Sequence, residues 1–78
     1  MNEYLVMFNP NPNKAQKYYP SLHIWPEILT MLIKMSEVGG EIHIYRLDKG
    51  HHPEQVFVNC ANHTEFWLED MYGNHIEG

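Results

Sequence analysis

The sequence predicts an α+β fold: an antiparallel β-sheet of about four strands packed on one main helix over residues 26–38, in the order β-α-β-β-β. Three observations carry this expectation. An apolar helical segment is bounded by Pro26 at its start and Gly39-Gly40 at its end. Two runs of alternating apolar and polar residues, 41–47 and 54–60, flank a loop containing glycine and proline. A short apolar run, Tyr4-Leu-Val-Met-Phe8, stands ahead of the helix and ends in turn-forming residues.

Tyr4 to Phe8 reads as a buried strand, because a continuous apolar run this short suits a strand covered on both faces. Asn9-Pro-Asn-Pro-Asn13 follows, where each proline fixes φ and restrains the residue before it, so the chain there is extended or turning. Residues 9–24 are expected to form a long loop, with Ser21 to Trp25 available as a short extended lead-in to the helix. Tyr18 and Tyr19, beside Lys14 and Lys17, either contact a partner or fold back over the small core, and burial of aromatics favours the core.

Pro26 fits the first helical turn, Glu27 complements the helix dipole, and Gly39-Gly40 supply a left-handed stop. Glu27, Thr30, Lys34 and Glu37 line one narrow polar stripe, while the apolar residues from Ile28 to Val38 wrap far more than the usual arc of about 100°. Such a helix calls for a sheet that curls around it or for a second chain on its flank.

The alternation in 41–47 and 54–60 makes a hairpin. With Leu47 opposite Gln55, Tyr45 faces Phe57 and His43 faces Asn59, leaving Ile42, Ile44, Val56, Val58 and Cys60 on the core side. The stretch after Asn62 carries two signals. Asn62-His-Thr-Glu65 matches a helical capping box, whereas Thr64 to Asp70 alternates and Tyr72-Gly-Asn-His75 resembles a turn inside a hairpin. The strand is the favoured reading; it sends Phe66 and Leu68 inward and Glu65, Trp67 and Glu69 outward.

A 78-residue chain fits a single domain with a thin core. Leu, Ile, Val and Phe make up 19 of its residues, enough for folding. The lone Cys60 rules out an internal disulfide and agrees with a reducing, cytoplasmic setting. An unstapled small domain commonly gains stability from a partner, so a homodimer or a complex is expected. There is no 18-residue apolar run to span a membrane and no basic n-region of a secretory signal.

The net charge of −5 arises entirely after residue 49, where Glu54, Glu65, Glu69, Asp70 and Glu77 stand without a lysine or arginine. This half repels phosphate and suits a basic partner, so nucleic-acid binding is not expected; only the Lys14, Lys17, Tyr18, Tyr19 loop speaks for it. No phosphate-binding, dinucleotide-binding, zinc-protease or nucleophile-elbow motif is present, so no enzyme and no cofactor is expected. His43 has the chemistry of a general base if Glu65 or Glu69 lies near, yet no nucleophile accompanies it.

The six histidines raise the alternative of a metal-binding domain or metal-dependent enzyme using His51, His52, Cys60 and His63. A strand between Pro53 and Cys60 separates those ligands by about 23 Å, so such a site would have to close across a dimer interface. The stronger expectation is an outward sheet face bearing His43, Tyr45, Phe57 and Trp67, rimmed by Glu65, Glu69 and Asn59. Aromatic anchors in a polar rim concentrate binding energy. The sequence therefore reads as a small acidic protein-binding module that stands alone. It would be an inhibitor or regulator of the phage or mobile-element accessory type, docking on a larger basic protein through His43, Tyr45, Phe57, Glu65, Trp67 and Glu69. The competing expectation is that the long loop or the C-terminus covers these rings.

Overall fold

The computed structural model describes residues 2–10, 20–47, 52–62 and 64–78. Along them run β1 (Glu3–Asn9), β2 (Ser21–Ile24), α1 (Trp25–Val38), β3 (Glu41–Leu47), β4 (Pro53–Ala61), β5 (Glu65–Glu69) and β6 (His75–Glu77). The strands form one antiparallel sheet in the order β2-β1-β3-β4-β5-β6. The α+β class holds, but the sheet has six strands among the described residues instead of about four.

The additional strands are the two short edges, of four and three residues. Elements so short show too little of a period to stand out in a sequence. β2 occupies the end of the expected 9–24 loop, pairing Leu22 with Leu5, and Asn9 at the other end belongs to β1. Residues 11–19, including Lys14, Lys17, Tyr18 and Tyr19, lie outside the described residues.

Helix α1 begins one residue earlier than expected, at Trp25. The Glu27 carboxylate accepts the Ile24 backbone N–H at 3.1 Å, which satisfies one of the free donors at the helix start. At the other end the Gly39 N–H bonds the Met35 carbonyl at 2.8 Å. Both Gly39 and Gly40 have positive φ, and a Cβ on Gly40 would sit 2.8 Å from the Asn9 carbonyl oxygen, so the chain turns where only glycine fits. The polar stripe of Glu27, Thr30, Lys34 and Glu37 is exposed as expected. Of the apolar residues, however, Ile33 and Val38 are exposed as well: they flank that stripe, beyond the sheet's reach.

The core is Tyr4 and Val6 of β1, Ile28 and Leu32 of α1, Ile44 of β3, Val56 of β4 and Leu68 of β5. Cross-strand partners share a face, so the pairs Val6–Ile44 and Ile44–Val56 mark the side of the sheet that meets the helix. The sheet curls. β1 and β6 are four positions apart, about 19 Å in a flat sheet at about 4.8 Å per strand, further than a tyrosine and a glutamate reach together. Yet the Tyr4 hydroxyl donates to Glu77 Oε2 at 2.5 Å. Trp25, directly after edge strand β2, likewise lies against Gly78, directly after edge strand β6. The sheet thus curls around α1, one of the two ways to cover a broadly apolar helix.

The hairpin register differs from the expected one by two residues: Leu47 faces Pro53 and Tyr45 faces Gln55. Pro53 is the first residue of β4, where a missing N–H is tolerated, and the connection is shorter by two residues than the proline suggested. A shift of two keeps every side chain on its expected face. The segment after Asn62 is the favoured strand and not a helix, with Phe66 and Leu68 inward.

The curl has its corner in β4. Residues 53–56 pair with β3, and residues 57–61 pair with β5 instead. Strands that change partners in this way make the corners of strongly bent sheets.

Candidate functional site

The outward face of the sheet is built from the residues that alternate with the core. Leu5 is level with Leu22 on one side and Tyr45 on the other, and Tyr45 is level with Gln55. Met7 pairs with His43. His43 and Phe57 both adjoin the Ile44–Val56 pair on its outward side. Phe57 faces Glu69, which in turn faces His75, and Trp67 faces Asn59. All six residues expected at a partner surface, His43, Tyr45, Phe57, Glu65, Trp67 and Glu69, therefore occupy outward positions of three neighbouring strands.

The face is partly open. Leu22, Leu47 and Phe57 are 56, 53 and 42% exposed, while Tyr45, His43 and Trp67 are half-buried by their strand neighbours. α1 packs against the inward residues on the other side, while at the β5 end Glu65 and Trp67 line a cavity together with Trp25, Leu29 and the C-terminal Gly78. The Trp67 indole N–H donates to Glu69 Oε2, which fixes the ring and occupies that carboxylate. Glu65 is exposed opposite Ala61, at the last pair of the β4–β5 ladder. No described carboxylate forms an ion pair with His43, so the partner needed for a general base is not supplied by Glu65 or Glu69.

Leu5, Met7 and Leu22 extend the site beyond the expected residues. Tyr4 to Phe8 was expected to be covered on both faces. Instead Tyr4, Val6 and Phe8 turn inward, and the outward Leu5 and Met7 stay half-buried at the surface. An apolar residue at every position of a strand that has a helix on one face only was the available signal.

The charged groups segregate. Glu3, Glu41, Glu65 and Glu69 hold outward positions, and no lysine or arginine does among the described residues. Arg46 points to the helix side, where its Nε and Nη2 donate to Glu54 at 3.0 and 3.2 Å. That fork raises its pKa above the ordinary guanidinium value and leaves the arginine committed to the fold. Next to it Tyr4 and Arg46 line a polar cavity of about 180 Å3 with Asn2, Glu3, Leu47 and Ile76. Burial, then the Glu77 hydrogen bond, pushes the Tyr4 phenol up to about 12.

Two expectations about the remaining ligating residues are resolved differently. Cys60 does lie on the inward side of β4, opposite Phe66, but it is exposed and is not a buried core thiol. The change of partner in β4 leaves its far half open to solvent there. Of the proposed metal ligands His51, His52, Cys60 and His63, His51 and His63 lie outside the described residues. Among the described residues no three His, Cys, Asp or Glu side chains are grouped to hold a metal ion. No described helix is long and apolar enough to cross a membrane.

No protein-family model matches this chain, and neither does any curated protein or any solved structure.

Proposed function

We propose that this chain is a protein-binding module, an inhibitor or regulator that acts by occupying a larger protein with the outward face of its sheet. The carrying observation is the composition of that face. Leu22, Leu47 and Phe57 are exposed on it, Tyr45 lies among them on β3 and Trp67 beyond Phe57 on β5, and among the described residues its charged positions are all glutamates. Exposed apolar side chains gathered on one face mark interaction surfaces, and half-buried aromatics lose little conformational freedom on docking. The partner that complements it has an apolar centre ringed by lysines and arginines, and ionic attraction then speeds encounter and selects the partner.

Affinity capture from extract, followed by titration of the captured protein, tests the reading. Phe57→Ser and Glu69→Lys are expected to weaken binding at least tenfold with the circular dichroism spectrum unchanged. Lys34→Glu, on the exposed stripe of α1, serves as the control and is expected to bind as the wild type does. Equal capture by all versions would remove the outward face from consideration. Binding is also expected to weaken as salt is added, since exposed charges are screened within about 10 Å at 0.1 M.

A further inference from the structure

The β3–β4 hairpin is a fork. Its pairing stops at Ile44–Val56. Beyond that point Glu41–His43 are held by β1 and Phe57–Ala61 by β5, and neither segment pairs with the other. Two stretches of strand thus face each other with backbone donors and acceptors that have no ladder partner among the described residues. Such edges are templates for another strand.

On the helix side the fork opens into a cavity of about 290 Å3, lined by Leu32, Met35 and Ser36 of α1, Ile42 of β3, Val58 and Cys60 of β4 and Phe66 of β5. The volume lies just below the range of about 300 to 1,000 Å3 typical of small-molecule sites, and the lining lacks their convergent polar groups. The polar groups that are on offer belong to the backbone of the open edges. Extended peptides use that combination: main-chain hydrogen bonds supply affinity, and alternate side chains in apolar pockets supply selectivity.

We infer that the fork is a strand-accepting slot, in which an extended segment of a partner protein pairs with the open edge of β4 at Phe57–Cys60 and seats alternate apolar side chains beneath the second half of α1. Phe57–Ala61 is five residues long, about 17 Å of strand, which sets the length of the segment. The segment is therefore apolar at alternate positions, to match the lining by Leu32, Met35, Ile42, Val58 and Phe66. The slot and the outward face lie on opposite sides of β4, so each can fail without the other.

Amide hydrogen exchange on the full chain supplies the first test. In the free protein, the amides of Phe57–Ala61 that point away from β5 are expected to exchange at least tenfold faster than those pairing Ile44–Leu47 with Pro53–Val56. Equal protection would mean that the fork is closed in solution, and the inference would fall. The second test uses nine-residue peptides of alternating valine and threonine with lysines at both ends. Their addition is expected to protect Phe57–Ala61, with saturation, and to leave Glu41–His43 exchanging as in the free protein. N-methylation of alternate peptide amides, or alkylation of Cys60 with N-ethylmaleimide, is expected to weaken binding tenfold or more. Trp67→Ala is expected to leave it unchanged, because that ring is on the outward face. No binding at millimolar peptide, or spectral changes confined to Tyr45, Trp67 and their neighbours, would overturn the slot.

Discussion

Replacing Tyr4 by phenylalanine separates the bond that closes the curled sheet from the burial of the ring beneath it. Tyr4 is 1% exposed, so Phe keeps the packing and loses only the hydroxyl that donates to Glu77. A hydrogen bond to a charged group contributes about 1.5 to 3 kcal/mol net, so Tyr4→Phe is expected to cost about 2 kcal/mol at pH 7. For a domain of this size that lowers the thermal midpoint by about 10 °C. A second signature comes from the phenol's ionisation. Its pKa rises from the ordinary 10.0 to about 12 in the fold, so between those values the folded state keeps a proton that the unfolded chain has released. Stability from this group is complete below pH 10 and falls by about 1.4 kcal/mol per pH unit as the pH climbs to 12. The variant lacks that loss, so its deficit relative to wild type should shrink through the window and nearly vanish at its top. Urea denaturation of both proteins from pH 7 to 12 measures this, and the other tyrosines and the lysines cancel in the difference. Equal stability at pH 7, or a deficit that stays constant up to pH 12, would refute the role given to the Tyr4–Glu77 bond.

Gly40→Ala places a Cβ 2.8 Å from the Asn9 carbonyl oxygen at φ +135°, and is expected to cost about 3 kcal/mol; Gly39→Ala, with open space around it, should cost about 1 kcal/mol. Thermal melts of the two variants check the order. Asp70 accepts the backbone N–H groups of Tyr72 and Asn74, both at 2.9 Å, and these hold its carboxyl below its ordinary 3.8, the Asn74 bond most of all. Its contribution is present above that ordinary value and is lost as the pH falls through the lower folded one. Asp70→Ala is thus expected to melt earlier at pH 7 and to lose less on acidification to pH 2, as followed by circular dichroism.

The elements visible in the sequence are those with a period long enough to see. Ile42, Ile44, Val56 and Val58 alternate over two long strands, and Pro26 with Gly39-Gly40 brackets the helix, so both were assigned to their correct faces. The hairpin register was off by two residues without consequence for the site, since the faces depend only on parity. The short edge strands fall outside the count of about four, although Ser21 to Trp25 reads as an extended lead-in and Tyr72-Gly-Asn-His75 as the turn of the hairpin that β5 and β6 form. Leu22 of β2 was left out of the site, although Ser21-Leu-His-Ile alternates. Cys60 was placed on its correct side and given the wrong exposure, because inward orientation implies burial only where the covering layer reaches. That layer is a helix of 14 residues, about 21 Å long, and its extent over the sheet depends on the curl, a property of the whole chain.

The closed and the open ends of the molecule have one cause. Strand twist alone brings the edges of a six-stranded sheet together slowly, and the Tyr4–Glu77 bond requires far more bend than that. The bend is concentrated in β4, whose first half stays with β3 and whose second half follows β5. At the turn of the strand Phe57 is pushed outward to 42% exposure, and further along Cys60 comes free of the helix. Closing the sheet over the N-terminal part of α1 therefore opens the fork beneath its C-terminal part. An occupant of the fork that paired with both edges would draw β3 and β4 parallel again and oppose the bend, straining the Tyr4–Glu77 contact. One that pairs with β4 alone leaves the bend as it is, and for that reason the open edge of β4 is the one assigned to bind.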